Sequence, residues 1–175
     1  KNIELLRGQV EIRSEKGRGS IFRMGLPLTL AIIDGMVIRV GCEIYVIPTI
    51  SILRSIKPSA QDVCTVLGQG EMLTLQGRLI PLYRISRIFG IEAGRSELSQ
   101  TIVVVVEDEE RQAGLVIDEL VGRQQVVIKS LGETMKNIPG ISGGAIMPDG
   151  RVGLILDVGG LLRFASPERG DANRD

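Results

Sequence analysis

The chain has 175 residues, with 21 basic and 21 acidic side chains and no histidine. That length suits one domain, or one domain plus a fragment. Balanced charge argues against a dedicated nucleic-acid binder, which carries a basic face, and the missing imidazole excludes Ser-His-Asp and Cys-His catalysis, His-ligated metals and a phospho-accepting histidine in this sequence. The two cysteines, Cys42 and Cys64, are too few for a four-cysteine zinc site or a disulfide framework and read as free, half-buried thiols. No apolar run reaches the ~18 residues of a membrane span and no secretory signal opens the sequence, so no membrane insertion is expected and the compartment reads as the cytoplasm.

Gly accounts for 22 residues and aromatics for only 3%, a composition of short strands and tight turns. Asn2 to Leu6 reads as the last turns of a helix stopped by Gly8, as if the sequence opened inside an element. Gln9 to Ser14 alternates polar and apolar residues, which predicts a half-buried strand. Glu15-Lys16-Gly17-Arg18-Gly19 reads as a turn, and Phe22, Met24 and Leu26 line one face of a returning strand closed by Pro27. Leu28 to Ile33 is nearly continuous in apolar residues, and Asp34-Gly35 is a turn signal.

Met36 to Val40, a Gly41-Cys42 turn and Glu43 to Ile47 read as a hairpin ended by Pro48, which has no backbone donor for a ladder. Ile50, Leu53 and Ile56 would share one face of a short helical turn. Three short strands follow at 63–67, 72–75 and 79–82, then a short helix from Tyr83 to Phe89 stopped by Gly90. Pro81 is expected at a strand end or edge. Residues 91–100 read as an exposed loop. Thr101 to Val106 is β-branched throughout and predicts a strand buried on both faces. A turn at Glu107 to Glu110, strands at 113–117 and 126–128, a last hairpin across Pro148-Asp149-Gly150 and a short helix at 160–165 complete the ordered part. Ser166 to Asp175 carries almost no apolar residue and is expected to be disordered. About ten strands with recurrent turns exceed one small barrel, so two barrels packed together are expected.

Several motifs, in order, carry a family likeness. They are Ser14-Glu15-Lys16-Gly17-Arg18-Gly19-Ser20-Ile21-Phe22, Leu26 to Ile32, Ile80-Pro81-Leu82 and Asp118 to Lys129, then Pro139-Gly140-Ile141-Ser142, Asp149-Gly150 and Ile155 to Val158. Together they resemble the C-terminal part of the chemotaxis histidine kinase CheA. The resemblance covers nearly the whole chain except the tail. It implies that residues 1–27 are the truncated end of the ATP-binding domain and linker, and that 28–165 form a CheW-like regulatory domain. That family's fold is mostly β, with two small five-stranded SH3-like barrels packed around a shared apolar interface, accompanied here by short helices and preceded by a fragment of an α/β ATPase domain.

The resemblance assigns Gly17, Gly19 and Ser20 to the remnant of a nucleotide glycine box. The other ATP-site boxes lie upstream in the family, so no nucleotide is expected to bind this chain alone; ATP and magnesium belong to the full-length kinase. Leu26, Pro27, Leu28 and Thr29 become a control linker. Two partner-facing positions of the coupling proteins fall on Leu53 and on Gln76, before Gly77. Gln76 stands where many relatives carry Arg, which removes a five-donor fork, and Leu53 reads equally as a barrel-packing residue. Implied partners are the coupling protein CheW, chemoreceptor tips and the chain's own kinase domain, at receptor arrays near the inner membrane.

The remaining candidates have plainer readings. The Glu107–Glu110 run lacks calcium-loop spacing and reads as a solvated hairpin tip. Asp118 and Asp157 end apolar strands and read as strand-end hydrogen-bonding groups rather than paired catalytic carboxylates. Lys129 is a surface or structural charge. Gly143-Gly144 suits a tight barrel corner. The expected function is a non-catalytic regulatory scaffold; the competing expectation is a stand-alone ATP-binding or phosphotransfer fragment.

Overall fold

The computed structural model describes residues 9–25, 32–68, 70–92, 94, 97, 100–129 and 138–165. The expected helix end before Gly8, the linker residues 26–29 and the tail 166–175 lie outside them. The chain divides into two units, the first up to Ala31 and the second from Ile32.

In the first unit β1 (Gln9–Glu15) and β2 (Gly19–Gly25) pair antiparallel, with Ile12 opposite Phe22 and Val10 opposite Met24. Arg18 N–H donates to Glu15 O at 3.0 Å across the turn. Cross-strand pairing puts Val10, Ile12, Phe22 and Met24 on one face, and Glu11 with its salt-bridge partners Arg13 and Arg23 on the other. The alternation predicts a half-buried ribbon, yet Ile12 and Phe22 are 60% and 67% exposed, so neither face is covered by the described residues.

The second unit begins with β3 (Ile32–Val40), β4 (Glu43–Pro48), β5 (Ile52–Ile56), β6 (Val63–Val66), β7 (Gly70–Leu75) and β8 (Arg78–Arg84). Helix α1 (Ile85–Ile88) is followed by β9 (Ile102–Asp108), β10 (Arg111–Ile117), β11 (Glu119–Lys129), β12 (Ile141–Ile146), β13 (Val152–Leu156) and α2 (Val158–Ala165). Strands β11-β12-β13-β4-β3 close a five-stranded barrel, and β5-β9-β10-β8-β7-β6 form a six-stranded sheet. The barrel core is Val37, Val46, Val126, Ala145, Met147 and Ile155. All six strands of the sheet contribute to a second core, from Ile56 and Val63 at its edges to Leu73, Leu82, Val103 and Val116 between them. A sheet whose two edges pack on one core is rolled rather than flat. The expected mostly β architecture of two small bodies is thus present, with six strands instead of five in the second body.

A third core joins the bodies. Ile38, Val40, Tyr45 and Ile47 of the barrel meet Val104, Val106, Leu115 and Ile117 of the sheet, with Ile85, Leu161 and Leu162 from the helices. Strand β9 serves both sides: Val103 and Val105 face the sheet's own core, Val104 and Val106 the shared one. This is the doubly buried strand that the β-branched run predicts. Tyr45 stacks on Phe89 across the seam, with centroids 5.3 Å apart. Burial, helped by the Glu43 carboxylate, pushes its phenol up to about 12.

Some local expectations are overturned by tertiary contacts. Asp34-Gly35 makes no turn; both residues lie inside β3, where a side chain at Gly35 would strike Val46. Its glycine serves close strand packing. Pro81 is neither at a strand end nor on an edge strand. It sits within β8 opposite Met72, in a stretch where β7 is the paired neighbour, and pairing with β10 starts only at Leu82. Ile50, Leu53 and Ile56 do not share a helical face: Thr49–Ser51 is a 3-10 turn and the other two belong to β5. Cys42 and Cys64 are free but exposed, not half-buried. The acidic run divides, because Glu107 and Asp108 complete β9 while Glu109 and Glu110, at φ 46° and 67°, form the tip. Lys129 closes β11 as an exposed charge.

Strand-end carboxylates hold the crossovers. Asp118 joins β10 of the sheet to β11 of the barrel, and its Oδ2 accepts N–H bonds from Gly41 at 2.6 Å and Gly94 at 2.9 Å. Asp157 caps α2, its Oδ1 accepting from Gly160 N–H at 3.1 Å. Between β7 and β8, Arg84 grips Glu71 with a two-pronged ion pair at 2.7 and 3.0 Å. These hydrogen bonds hold the Glu71 carboxyl below its ordinary 4.5.

Asp118→Ala strands two N–H donors, so chemical denaturation should show a loss of about 2 kcal/mol or more; Asp118→Asn, which keeps an acceptor oxygen, should lose less. A carboxyl lowered on folding adds stability above its unfolded value and loses it as pH falls through the folded one. Glu71→Gln should therefore melt below the parent protein above pH 4.5, with the gap narrowing on further acidification. A gap constant through acid would remove the ion pair as its cause.

Candidate functional site

Pro48 ends β4, and the 3-10 turn Thr49–Ser51 carries the chain out of the barrel into the sheet. Thr49 Oγ1 anchors this turn by donating to Asp34 O at 2.9 Å. The turn leaves Ile50 96% exposed. Beside it is a cavity of about 440 Å³ walled by Ile33, Pro48, Thr49 and Ile50, with Asp34 and Arg123 at its polar side. Those two charges stand 3.6 Å apart.

Leu53 follows. Ile52 pairs with Val106 and Arg54 with Val105, so the register slips by one residue at Leu53. A bulge re-aims the extra side chain, and Leu53 is 47% exposed while Ile52 packs on the shared core. The barrel-packing reading of Leu53 thereby gives way to a surface one. Ile50 belongs to the same exposed stretch; the sequence places it on a helical face and not among the candidate contacts. Its signal was an apolar residue just past a strand-ending proline.

Gln76 and Gly77 lie elsewhere, at the β7–β8 turn, with φ of 50° and 78°. In the sheet order β9 and β10 separate β5 from β8, so Leu53 and Gln76 come from non-adjacent strands. Gly17, expected in a glycine box, lies in the β1–β2 turn of the first unit, and Gly19 and Ser20 open β2. Gly17 and Gly19 have φ of 83° and 103°, and the Ser20 hydroxyl is 2.9 Å from that of Ser14. Among the described residues, no group of three acidic, cysteine or histidine side chains could hold a metal ion, and no helix is long and apolar enough to cross a membrane. The chemistry on offer is apolar contact with a polar rim, the composition of docking surfaces.

Comparisons with known proteins fit this geometry. The CheW-like domain family matches residues 34–166. The chain is 39% identical over 161 residues to a chemotaxis protein CheA of Klebsiella aerogenes, covering 92% of this chain and 25% of that protein. It is 38% identical over 169 residues to the CheA of Salmonella typhimurium, covering 97% and 25%. The CheA of Treponema pallidum is 41% identical over 164 residues, covering 93% and 20%. The chain thus spans about a quarter or less of the length of these relatives. A crystal structure of the scaffolding protein TtCheW from Thermoanaerobacter tengcongensis superposes with a TM-score of 0.60 at 19% identity, over 73% of this chain and 90% of that one. A family match across both β bodies, with the same fold in a solved relative, shows that the chain belongs to the CheW-like domain family and is similar along its length to chemotaxis CheA proteins.

Proposed function

We propose that the chain is the non-catalytic regulatory domain of a CheA-type kinase, docking a CheW coupling protein and chemoreceptor tips to control the attached kinase. One observation carries the reading. Ile50 and the bulged Leu53 stand in water at a crossover anchored by Thr49, while Ile47 and Val106 beside them are sealed in the core. Exposed apolar side chains on a rigid frame are the anchors that interfaces bury. The CheA similarity also supports it, because it extends over 169 residues, beyond the 34–166 region of the family. That extension favours a kinase segment over a free coupling protein.

In this reading Gln76 and Gly77 form a second, weaker contact. Residues 1–27 end the ATP-binding domain, with Gly17, Gly19 and Ser20 its remnant and no nucleotide held by this chain alone. Residues 26–29 transmit control into the barrel, and the assembly works at cytoplasmic receptor arrays near the inner membrane.

The test is a titration of purified chain against the cognate CheW and against a receptor-tip fragment, with ATP as a control. The parent chain should bind both proteins and show no micromolar affinity for ATP. Ile50→Asp and Leu53→Asp should weaken binding at least about tenfold, as expected for interface anchors, with melting temperatures within a few degrees of the parent. Unfolding by Leu53→Asp would return that residue to the core, and specific ATP binding would favour the enzyme fragment instead. In the full-length kinase, glycine at both Leu28 and Thr29 should preserve basal phosphorylation and abolish receptor control; unchanged control would refute the linker role.

A further inference from the structure

A second concavity lies away from Ile50 and Leu53, and its chemistry differs. It measures about 410 Å³ and opens between the β6–β7 turn, α1 and the end of α2. Leu82, Ile88 and Ala165 supply apolar wall, and Glu71, Arg84 and Arg87 supply charge. That volume is within the range of small binding pockets.

The charges do not cancel. Arg84 is 12% exposed, and its fork takes both oxygens of Glu71 at 2.7 and 3.0 Å. One carboxylate is thereby committed to one guanidinium. Arg87 is left over among the described residues: its side chain is 75% exposed, and the nearest carboxylate oxygen among them, the same Glu71 Oε2, is 3.9 Å away. That separation is beyond hydrogen-bond length. Among the described residues the pocket therefore holds two guanidiniums against one carboxylate, with the donors of the second turned to solvent. An anion that completes the set gains charge-assisted hydrogen bonds, and a guanidinium suits a carboxylate best.

The mouth favours a polypeptide source. Gly68 and Gly70 line it, and a Cβ on either would meet nothing within 4 Å, so main chain can approach. This turn continues directly from β6, the last strand of the sheet, which among the described residues pairs with β7 alone. An edge strand is a template for an added extended segment.

We propose that this pocket receives a Glu or Asp side chain, flanked by apolar residues, from an extended segment of a partner protein that lies along β6. Arg87 binds the incoming carboxylate, Arg84 and Glu71 hold the positive floor, and Leu82 and Ile88 take the flanking apolar contact. The inference is independent of docking at Ile50 and Leu53.

The test uses the intact chain, 15N-labelled, and three probes: a blocked pentapeptide Thr-Leu-Glu-Leu-Thr, its Gln counterpart, and butyrate. The Glu peptide should shift the Gly68, Gly70 and Arg87 amides saturably, and binding should weaken with added salt. The Gln peptide should bind at least about tenfold more weakly, the loss expected when a charged partner is removed. Arg87→Glu should abolish the response and Arg87→Lys should keep part of it, both with an otherwise unchanged amide spectrum. Equal binding of the Glu and Gln peptides, a parent-like Arg87→Glu, or no saturable shift at these amides would overturn the proposal. Butyrate saturating the same amides as tightly as the peptide would overturn its polypeptide part.

Discussion

The burial of both faces of one strand holds the second unit together. Alternate valines of β9 enter different cores, with Val103 and Val105 filling the rolled sheet and Val104 and Val106 filling the seam against the barrel. Neither body can shift against the other without exposing Ile38, Ile47, Leu115 and Ile117, each of which is no more than 1% accessible. Full burial of one such side chain is worth about 1.5–3 kcal/mol, so several of them outweigh any surface ion pair. The polar groups at the seam then set its geometry. Asp118 gathers N–H donors from two segments, one of them the β3–β4 turn of the barrel, onto one carboxylate oxygen.

That rigidity bears on the proposed docking role. A docking surface in which side chains are fixed before contact loses less freedom on binding. Ile50 and Leu53 owe their exposure to backbone devices, a 3-10 turn and a bulge, and not to a floppy loop. The Arg87 pocket is framed in the same way, by the Glu71–Arg84 pair beneath it. The first unit differs: its apolar stripe of Val10, Ile12, Phe22 and Met24 is exposed on a two-stranded ribbon. Two strands alone are marginal in water.

What could be read from the residues followed a physical pattern. The β-branched run at 102–106 and the turns at Gly41-Cys42 and Asp149-Gly150 announce themselves, because local propensity and tertiary demand agree there. Asp34-Gly35 misleads because the glycine answers to Val46, eleven residues on in the opposing strand, and not to its neighbours. Most of β11 is missed, the expected strand covering only 126–128, because Glu119, Arg123, Gln124 and Gln125 interrupt the apolar pattern, whereas pairing with β3 decides their conformation. At the site, the exposure of Leu53 depends on a one-residue slip that no periodicity encodes. The Glu71–Arg84 pair depends on the β7–β8 hairpin, which brings together charges without a shared local motif.

The order of the strands has a consequence for synthesis. The barrel is stitched from β3 and β4 at one side of the sequence and β11, β12 and β13 at the other, whereas the sheet is one unbroken run from β5 to β10. As the nascent chain leaves the ribosome, the sheet can gather its strands first, while β3 and β4 wait, greasy and unshielded, for partners not yet made. Chains fold in the order their parts emerge, and waiting strand edges are sticky. The middle of this sequence can thus complete its strand pairing before the barrel can close, while the seam of β9 is sealed only when the last strands arrive.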